Sequence, residues 1–201
     1  LRSWRVWVLM TGFLALLLFS AWMLNPLAFG LSFGVAAAIA FYSYSKRFTS
    51  FTHFFLGFVL GCSPAGGWIA VRGDLTAVPV LLLIGVTLWV GGFDIIYGCL
   101  DVEFDERENL YSLPRRLGVR GALILSAAAH AGTVVCFFLA GRAASLGAPF
   151  WLGLAAGAAL LFWEHWIVRP SDLSRLDVSF YNLNAWVSVA VSAGAIADVA
   201  I

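Results

Sequence analysis

Apolar residues run continuously along most of this chain and are broken by short polar separators. Seven runs stand out: Trp4–Leu24, Leu27–Tyr44, Thr52–Val71, Val78–Leu100, Ala122–Ala140, Phe150–Val168 and Tyr181–Ala200. An α-helix rises 1.5 Å per residue, so about 20 apolar residues cross the roughly 30 Å hydrocarbon core of a bilayer. The pattern predicts an all-α membrane protein, one domain over residues 1–201, with seven transmembrane helices. A β-barrel would alternate apolar and polar positions, and these runs do not. The separators hold the breakers and charges: Asn25-Pro26, Lys46-Arg47, Arg72-Gly73-Asp74, a polar stretch from Asp101 to Arg120, Gly141-Arg142, and Arg169-Pro170-Ser171-Asp172. Glycines within the runs, such as Gly57, Gly61, Gly91 and Gly92, allow helices to approach closely.

Composition agrees. Hydrophobic residues make up 62% of the 201 residues and charged residues 11%. A soluble domain is about half apolar and about a quarter charged. Water-soluble, disordered, secreted disulfide-framework and nucleic-acid-binding classes are excluded, and lipid is the solvent. Cys62, Cys99 and Cys136 are far apart and read as apolar residues within helices. The basic residues are unevenly placed. Ten of them (Arg2, Arg5, Lys46, Arg47, Arg107, Arg115, Arg116, Arg120, Arg169 and Arg175) fall on one side of the alternating spans, against Arg72 and Arg142 on the other. Positive-inside bias puts the first set in the cytoplasm, with the N-terminus and the 101–121 loop inside. Trp4, Trp7, Trp22, Trp68, Trp151 and Trp166 lie near span ends, as an interfacial belt would.

The chemistry concentrates where the fourth run ends, in G-G-F-D-I-I-Y-G-C-L-D-V-E-F-D-E-R-E. At about 100° per residue, Asp94, Tyr97, Asp101 and Asp105 fall at about 0°, −60°, −20° and +20°, one shared face. Glu103 points to the opposite side. Asp94 lies about 10 Å deeper than Asp101. A carboxylate inside a membrane costs about 2.5–3.5 kcal/mol on insertion scales, so it needs a cation, a partner or water. Oxygen-only ligands at this spacing suit Mg²⁺, which binds through one or two carboxylates plus substrate phosphates. A solvated acidic loop accounts for Glu106 and Glu108, and less well for the three aspartates together. Lys46 and Arg47 on the same side suit a phosphate, and positive-inside topology explains them equally well. For Arg115 and Arg116 topology alone suffices. His53, His130 and the Glu164-His165 pair read as packed helix contacts with no catalytic assignment.

The segment D-I-I-Y-G-C-L-D-V-E-F-D, followed by L-Y-S-L-P-R-R-L-G, resembles the second aspartate-rich motif of the UbiA superfamily of membrane prenyltransferases. Y-S-Y-S-K-R-F-T-S-F-T-H-F-F-L-G, P-A-G-G-W-I-A-V and R-P-S-D-L-S-R-L-D-V-S-F-Y resemble its 4-hydroxybenzoate polyprenyltransferase branch. The resemblance spans about residues 25 to 190. It implies a nine-helix bundle around a cavity open to the cytoplasm and to lipid. It implies Mg²⁺-dependent transfer of a polyprenyl group from polyprenyl diphosphate to an aromatic acid, in ubiquinone or menaquinone biosynthesis, in a bacterial inner membrane. The family's second motif matches at Asp94, Asp101 and Asp105. Its first, N-D-x-x-D-x-x-x-D, matches nowhere: none of Asn25, Asn109, Asn182 and Asn184 is followed by Asp. With seven runs and Leu1 at the start, the expectation is a chain lacking the family's first two helices.

In this reading Asp101 and Asp105 hold Mg²⁺, while Lys46, Arg47 and Arg115 bind the diphosphate. Asp94 and Tyr97 then lie near the reacting centre, orienting the aromatic acid or stabilising the allylic cation. Two other classes compete. A CDP-alcohol phosphotransferase also carries paired aspartates in a membrane helix, but its D-G-x-x-A-R element is absent here. An intramembrane cation transporter could use Asp94, but many such folds carry inverted repeats and broken helices, and neither is visible.

Overall fold

The computed structural model describes residues 3–173, 176 and 182–201. These form α1 (Ser3–Leu24), α2 (Pro26–Ser45), α3 (Thr52–Arg72), α4 (Ala77–Gly98), α5 (Val102–Arg107), α6 (Leu113–Ala143), α7 (Ala148–Ile167) and α8 (Asn184–Ala200). Six of these, α1 to α4, α6 and α7, are long and apolar enough to cross a membrane. Over the seventh expected span the described residues give a π-helical turn at 182–183 followed by α8, which has 17 residues, about 26 Å of helix. It begins at Asn184, whose side chain turns inward to bond Glu164. Tyr181, Arg2, Arg175 and most of the L-S-R-L-D-V-S-F-Y segment lie outside the described residues.

Hydrogen bonds among connections and helix ends define the two ends of the bundle. At one end the Tyr111 amide donates to the Lys46 carbonyl at 2.7 Å, joining the α2–α3 and α5–α6 connections. At the other, Asn25 Nδ2 donates to the Ile69 carbonyl at 2.8 Å, and the Gly147 amide donates to Asp198. Asn25 also caps α2, its Oδ1 accepting from the Ala28 amide ahead of Pro26.

Helix α4 is central, packed between α3 and α6, while α7 pairs with α8. A Cβ at Gly57 on α3 would fall onto the Thr87 carbonyl of α4, so glycine is what lets these backbones touch. Buried Ile95, Ile96, Cys99, Leu113, Ala122 and Leu123 join α4 to α6 at the Lys46 end. Helix α6 starts nine residues earlier than the expected run at Ala122 and breaks at Gly118, where φ is 69° and ψ 165°. Only glycine adopts that conformation readily. Helix α1 exposes apolar side chains around its surface, as a lipid-facing helix does.

Candidate active site

The acidic segment is not one continuous helix. After Gly98 the amides of Cys99, Leu100 and Asp101 donate three residues back, to Ile96, Tyr97 and Gly98, at 3.0–3.2 Å. This tight turn ends α4, and α5 restarts at Val102. The 100° helical spacing cannot be carried across such a turn. The four residues expected on the face of one helix, Asp94, Tyr97, Asp101 and Asp105, are therefore carried by two helical segments. Asp94 and half-buried Tyr97 belong to α4, and Asp101 and Asp105 to α5 and its cap.

The α5 group gathers around a lysine. Lys46, at the end of α2, places Nζ 3.3 Å from Asp105 Oδ1 and 3.8 Å from Asp101 Oδ2. Asp105 is fully buried, whereas Asp101 is half-exposed. The Asp105 amide donates to the Asp101 carbonyl at 2.8 Å, so one helical turn sets the spacing of the two carboxylates. Asp105 Oδ2 is buried and has no hydrogen-bond partner among the described residues. Ser45 and Thr52 are hydrogen-bonded through their hydroxyls, closing the α2–α3 turn beneath Lys46. Glu103, Glu106 and Glu108 are exposed.

The arginines separate. Arg115 Nη1 donates to the Leu110 carbonyl at 2.5 Å and the Asp105 carbonyl at 3.3 Å, clasping the α5–α6 connection. Arg47 is exposed and lies over the Tyr44 ring. Neither guanidinium pairs with the two carboxylates, which Lys46 holds.

The α4 group has a partner that sequence reasoning left as helix packing. His53, buried on α3, places Nδ1 2.8 Å from Asp94 Oδ2. A carboxylate oxygen accepts, so Nδ1–H donates to it. The signal was present in the spacing: His53 lies just inside the third run and Asp94 near the end of the fourth, so two antiparallel helices bring them to one depth. The Glu164-His165 pair and His130 also meet, on the far side of α4.

A cleft of about 650 Å³ opens among α1, α2, α3 and α4. Leu17, Leu31, Phe58, Val59, Pro79 and Leu83 are among its mostly apolar lining, and no carboxylate among the described residues lines it. Phe58 follows His53 by five residues, about 7.5 Å along α3.

Chemically, the lysine end presents two carboxylates, one ammonium and a buried oxygen left over. That donor set fits a divalent oxygen-seeking cation, for which a buried unpaired carboxylate oxygen is a ready ligand.

The model of the UbiA prenyltransferase family matches residues 1–188. The chain is 30% identical over 197 residues to the 4-hydroxybenzoate octaprenyltransferase of Pseudomonas aeruginosa strain PAO1, covering 98% of this chain and 66% of that protein. It is 32% identical over 170 residues to the protein of the same name from Pseudomonas fluorescens strain SBW25, covering 85% and 57%. The chain thus spans about two thirds or less of the length of these relatives. The apo structure of a UbiA homolog from Aeropyrum pernix K1 superposes with a TM-score of 0.88 at 34% identity, over 99% of this chain and 74% of that one. With the family pattern matched over nearly all its residues and the same helical architecture, this chain belongs to the UbiA prenyltransferase family.

Proposed function

We propose that this chain forms the greater part of a membrane enzyme that transfers a polyprenyl group from polyprenyl diphosphate to an aromatic acid, 4-hydroxybenzoate or a close analogue. The observation that carries the reading is the Lys46–Asp101–Asp105 cluster at one end of the bundle. The names of the Pseudomonas relatives supply the donor and acceptor class. The orientation proposed from the basic residues puts this cluster at the cytoplasmic face of the inner membrane.

Asp101 and Asp105 are the residues that would hold Mg²⁺, and the ion when bound supplies charge neutralisation for the diphosphate leaving group. Lys46 adds a cation beside the same phosphates. Charge placed where the leaving group develops its own lowers the barrier to departure. The allylic C–O bond breaks with its electron pair going to the diphosphate. The ring carbon ortho to the phenol hydroxyl bonds to the allylic carbon, and the ring proton then passes to the released diphosphate or to water. Asp94, held by His53, and Tyr97 lie deeper, where they orient the acceptor or stabilise positive charge on the allyl group. The apolar spans keep water from that cation, and the cleft beyond Phe58 suits the polyprenyl tail.

The test is a liposome assay with labelled polyprenyl diphosphate, 4-hydroxybenzoate and Mg²⁺. It uses the 201 residues alone and joined to the N-terminal segment of a UbiA relative that carries N-D-x-x-D-x-x-x-D. Mg²⁺-dependent prenylation in the joined protein, lost in Asp105→Asn, is the expected result. Cation flux without prenyl transfer would favour a transporter instead.

A further inference from the structure

A second polar cluster lies on the opposite face of α4 from Asp94. It joins four helices. His130 belongs to α6, Glu164 and His165 to the last turn of α7, Asn184 to α8 and Trp89 to α4. His130 and Glu164 are fully or almost fully buried. His130 touches α4 at Trp89 and Gly92; Gly92 is about 160° round that helix from Asp94. The two sites are therefore distinct.

We propose that His130, Glu164 and His165 form a buried binding site for a divalent transition metal of the zinc class. Three ligand atoms converge there. His130 Nδ1 is 3.0 Å from His165 Nε2 and 3.3 Å from Glu164 Oε2. All three lie within 4.8 Å of one another. Tetrahedral ligands bonded at about 2.0–2.1 Å sit about 3.3 Å apart, so the two spacings from His130 Nδ1 are close to those of a zinc site, whose fourth position takes water. Two imidazoles and one carboxylate suit Zn²⁺, whereas Mg²⁺ takes oxygen ligands.

The surroundings hold these atoms in the ligating orientation. The Trp89 carbonyl is 3.2 Å from His130 Nε2. A carbonyl only accepts, so Nε2 carries the hydrogen and Nδ1 presents its lone pair to the cluster. Asn184 Nδ2 donates to Glu164 Oε1 at 2.9 Å, and Trp89 Nε1 donates to Asn184 Oδ1 at 2.9 Å. That chain occupies one carboxylate oxygen and directs the other, Oε2, to the histidines. Metal-binding histidines and carboxylates are oriented by such outer hydrogen bonds. Without metal, the His165 Nε2 hydrogen bridges to His130 Nδ1. On binding, the metal takes its place and the hydrogen moves to Nδ1 of the same ring. The occupied site ties α6 to α7, with α4 and α8 bonded to its ligands.

The experiment is metal retention by the purified 201-residue chain in detergent. The protein is incubated with Zn²⁺, passed through a metal-free sizing column and measured by mass spectrometry of the eluted metal. Retention of about one Zn²⁺ per chain is expected, with a higher melting temperature than the metal-free protein. Co²⁺ in its place gives the visible bands of a tetrahedral nitrogen and oxygen complex. His130→Ala and His165→Ala lose retention, and Asn184→Ala weakens it by about 10–100-fold. Replacing Cys62, Cys99 and Cys136 with serine leaves it intact. Should a histidine variant fail to fold, the wild-type retention and the Co²⁺ spectrum decide alone. No stoichiometric Zn²⁺ in the wild type, a sulfur-to-cobalt charge-transfer band, or retention that survives both histidine changes would overturn the site.

Discussion

His53 Nδ1 lies 2.8 Å from Asp94 Oδ2, a bond between the start of α3 and the last turns of α4. The carboxylate is 22% exposed and the imidazole 2%. A charged group inside a span persists where it meets a partner, and here the partner is a histidine one helix away. The pair also fixes which way Asp94 faces, toward α3.

Removing the imidazole leaves Asp94 without that donor. His53→Ala should destabilise the protein by about 1–3 kcal/mol. His53→Gln, which keeps a side-chain donor, should recover part of the loss. Thermal unfolding in detergent measures both, and equal melting temperatures for wild type and His53→Ala would remove the structural role given to this bond.

Asp105→Asn keeps the volume of the buried side chain and removes its charge beside Lys46. In the joined protein it should lower prenyl transfer by about 100-fold or more, the scale of losing one stabilising group in a transition state. Lys46→Met should lower kcat as well as weaken diphosphate binding, because its charge lies beside the developing charge of the leaving group. Arg115 bonds backbone carbonyls, so Arg115→Ala should lower the melting temperature. Steady-state kinetics of Asp105→Asn and Lys46→Met, with thermal unfolding of Arg115→Ala, separates these roles. Full activity in Asp105→Asn would end its assignment as a metal ligand.

Gly57→Leu should force α3 and α4 apart, because even a Cβ there meets the Thr87 carbonyl. Overpacking of this kind costs about 1–3 kcal/mol. Gly66→Leu, on the same helix with open space around its Cβ position, is the matched control and should leave the melting temperature within a degree or two. Similar losses in both variants would contradict the close α3–α4 contact.

Gly118→Ala places a side chain at a backbone conformation that costs about 1–3 kcal/mol outside glycine. The variant should be less stable, or should continue the α6 helix through the break and shift the Arg115 clasp. Unfolding curves, together with cross-linking between Leu110 and Arg115 positions, distinguish a strained break from a straightened helix.

The orientation can be read with a single cysteine. Glu108 is exposed in the α5–α6 connection, whereas Ser112 is buried as the α6 cap. In a chain with Cys62, Cys99 and Cys136 replaced by serine, Glu108→Cys should resist a membrane-impermeant thiol reagent in intact cells and react after permeabilisation. Ready labelling in intact cells would reverse the proposed topology.

The sequence by itself determined that this is a helical membrane protein, because continuous apolar runs of about 20 residues have few other stable solutions in lipid. Its motifs also carried the family, since D-I-I-Y-G-C-L-D-V-E-F-D is a chemical pattern written in consecutive residues. Helix ends were less legible. Leu100 belongs to the apolar run yet lies past the end of α4, because apolarity does not report where a tight turn replaces the helical ladder.

What only the tertiary structure decided is which polar groups meet. Lys46 and Asp105 are 59 residues apart, His53 and Asp94 41, and His130 and His165 35. No local periodicity relates such positions. Their meeting depends on how antiparallel helices align in depth and which faces they turn to one another. The same geometry splits the acidic segment: Asp94 is turned inward against α3 while Asp101 and Asp105 face the lysine at the end of α2. A helical wheel cannot be drawn through the break, because a wheel assumes the continuous hydrogen-bond ladder that Cys99, Leu100 and Asp101 interrupt.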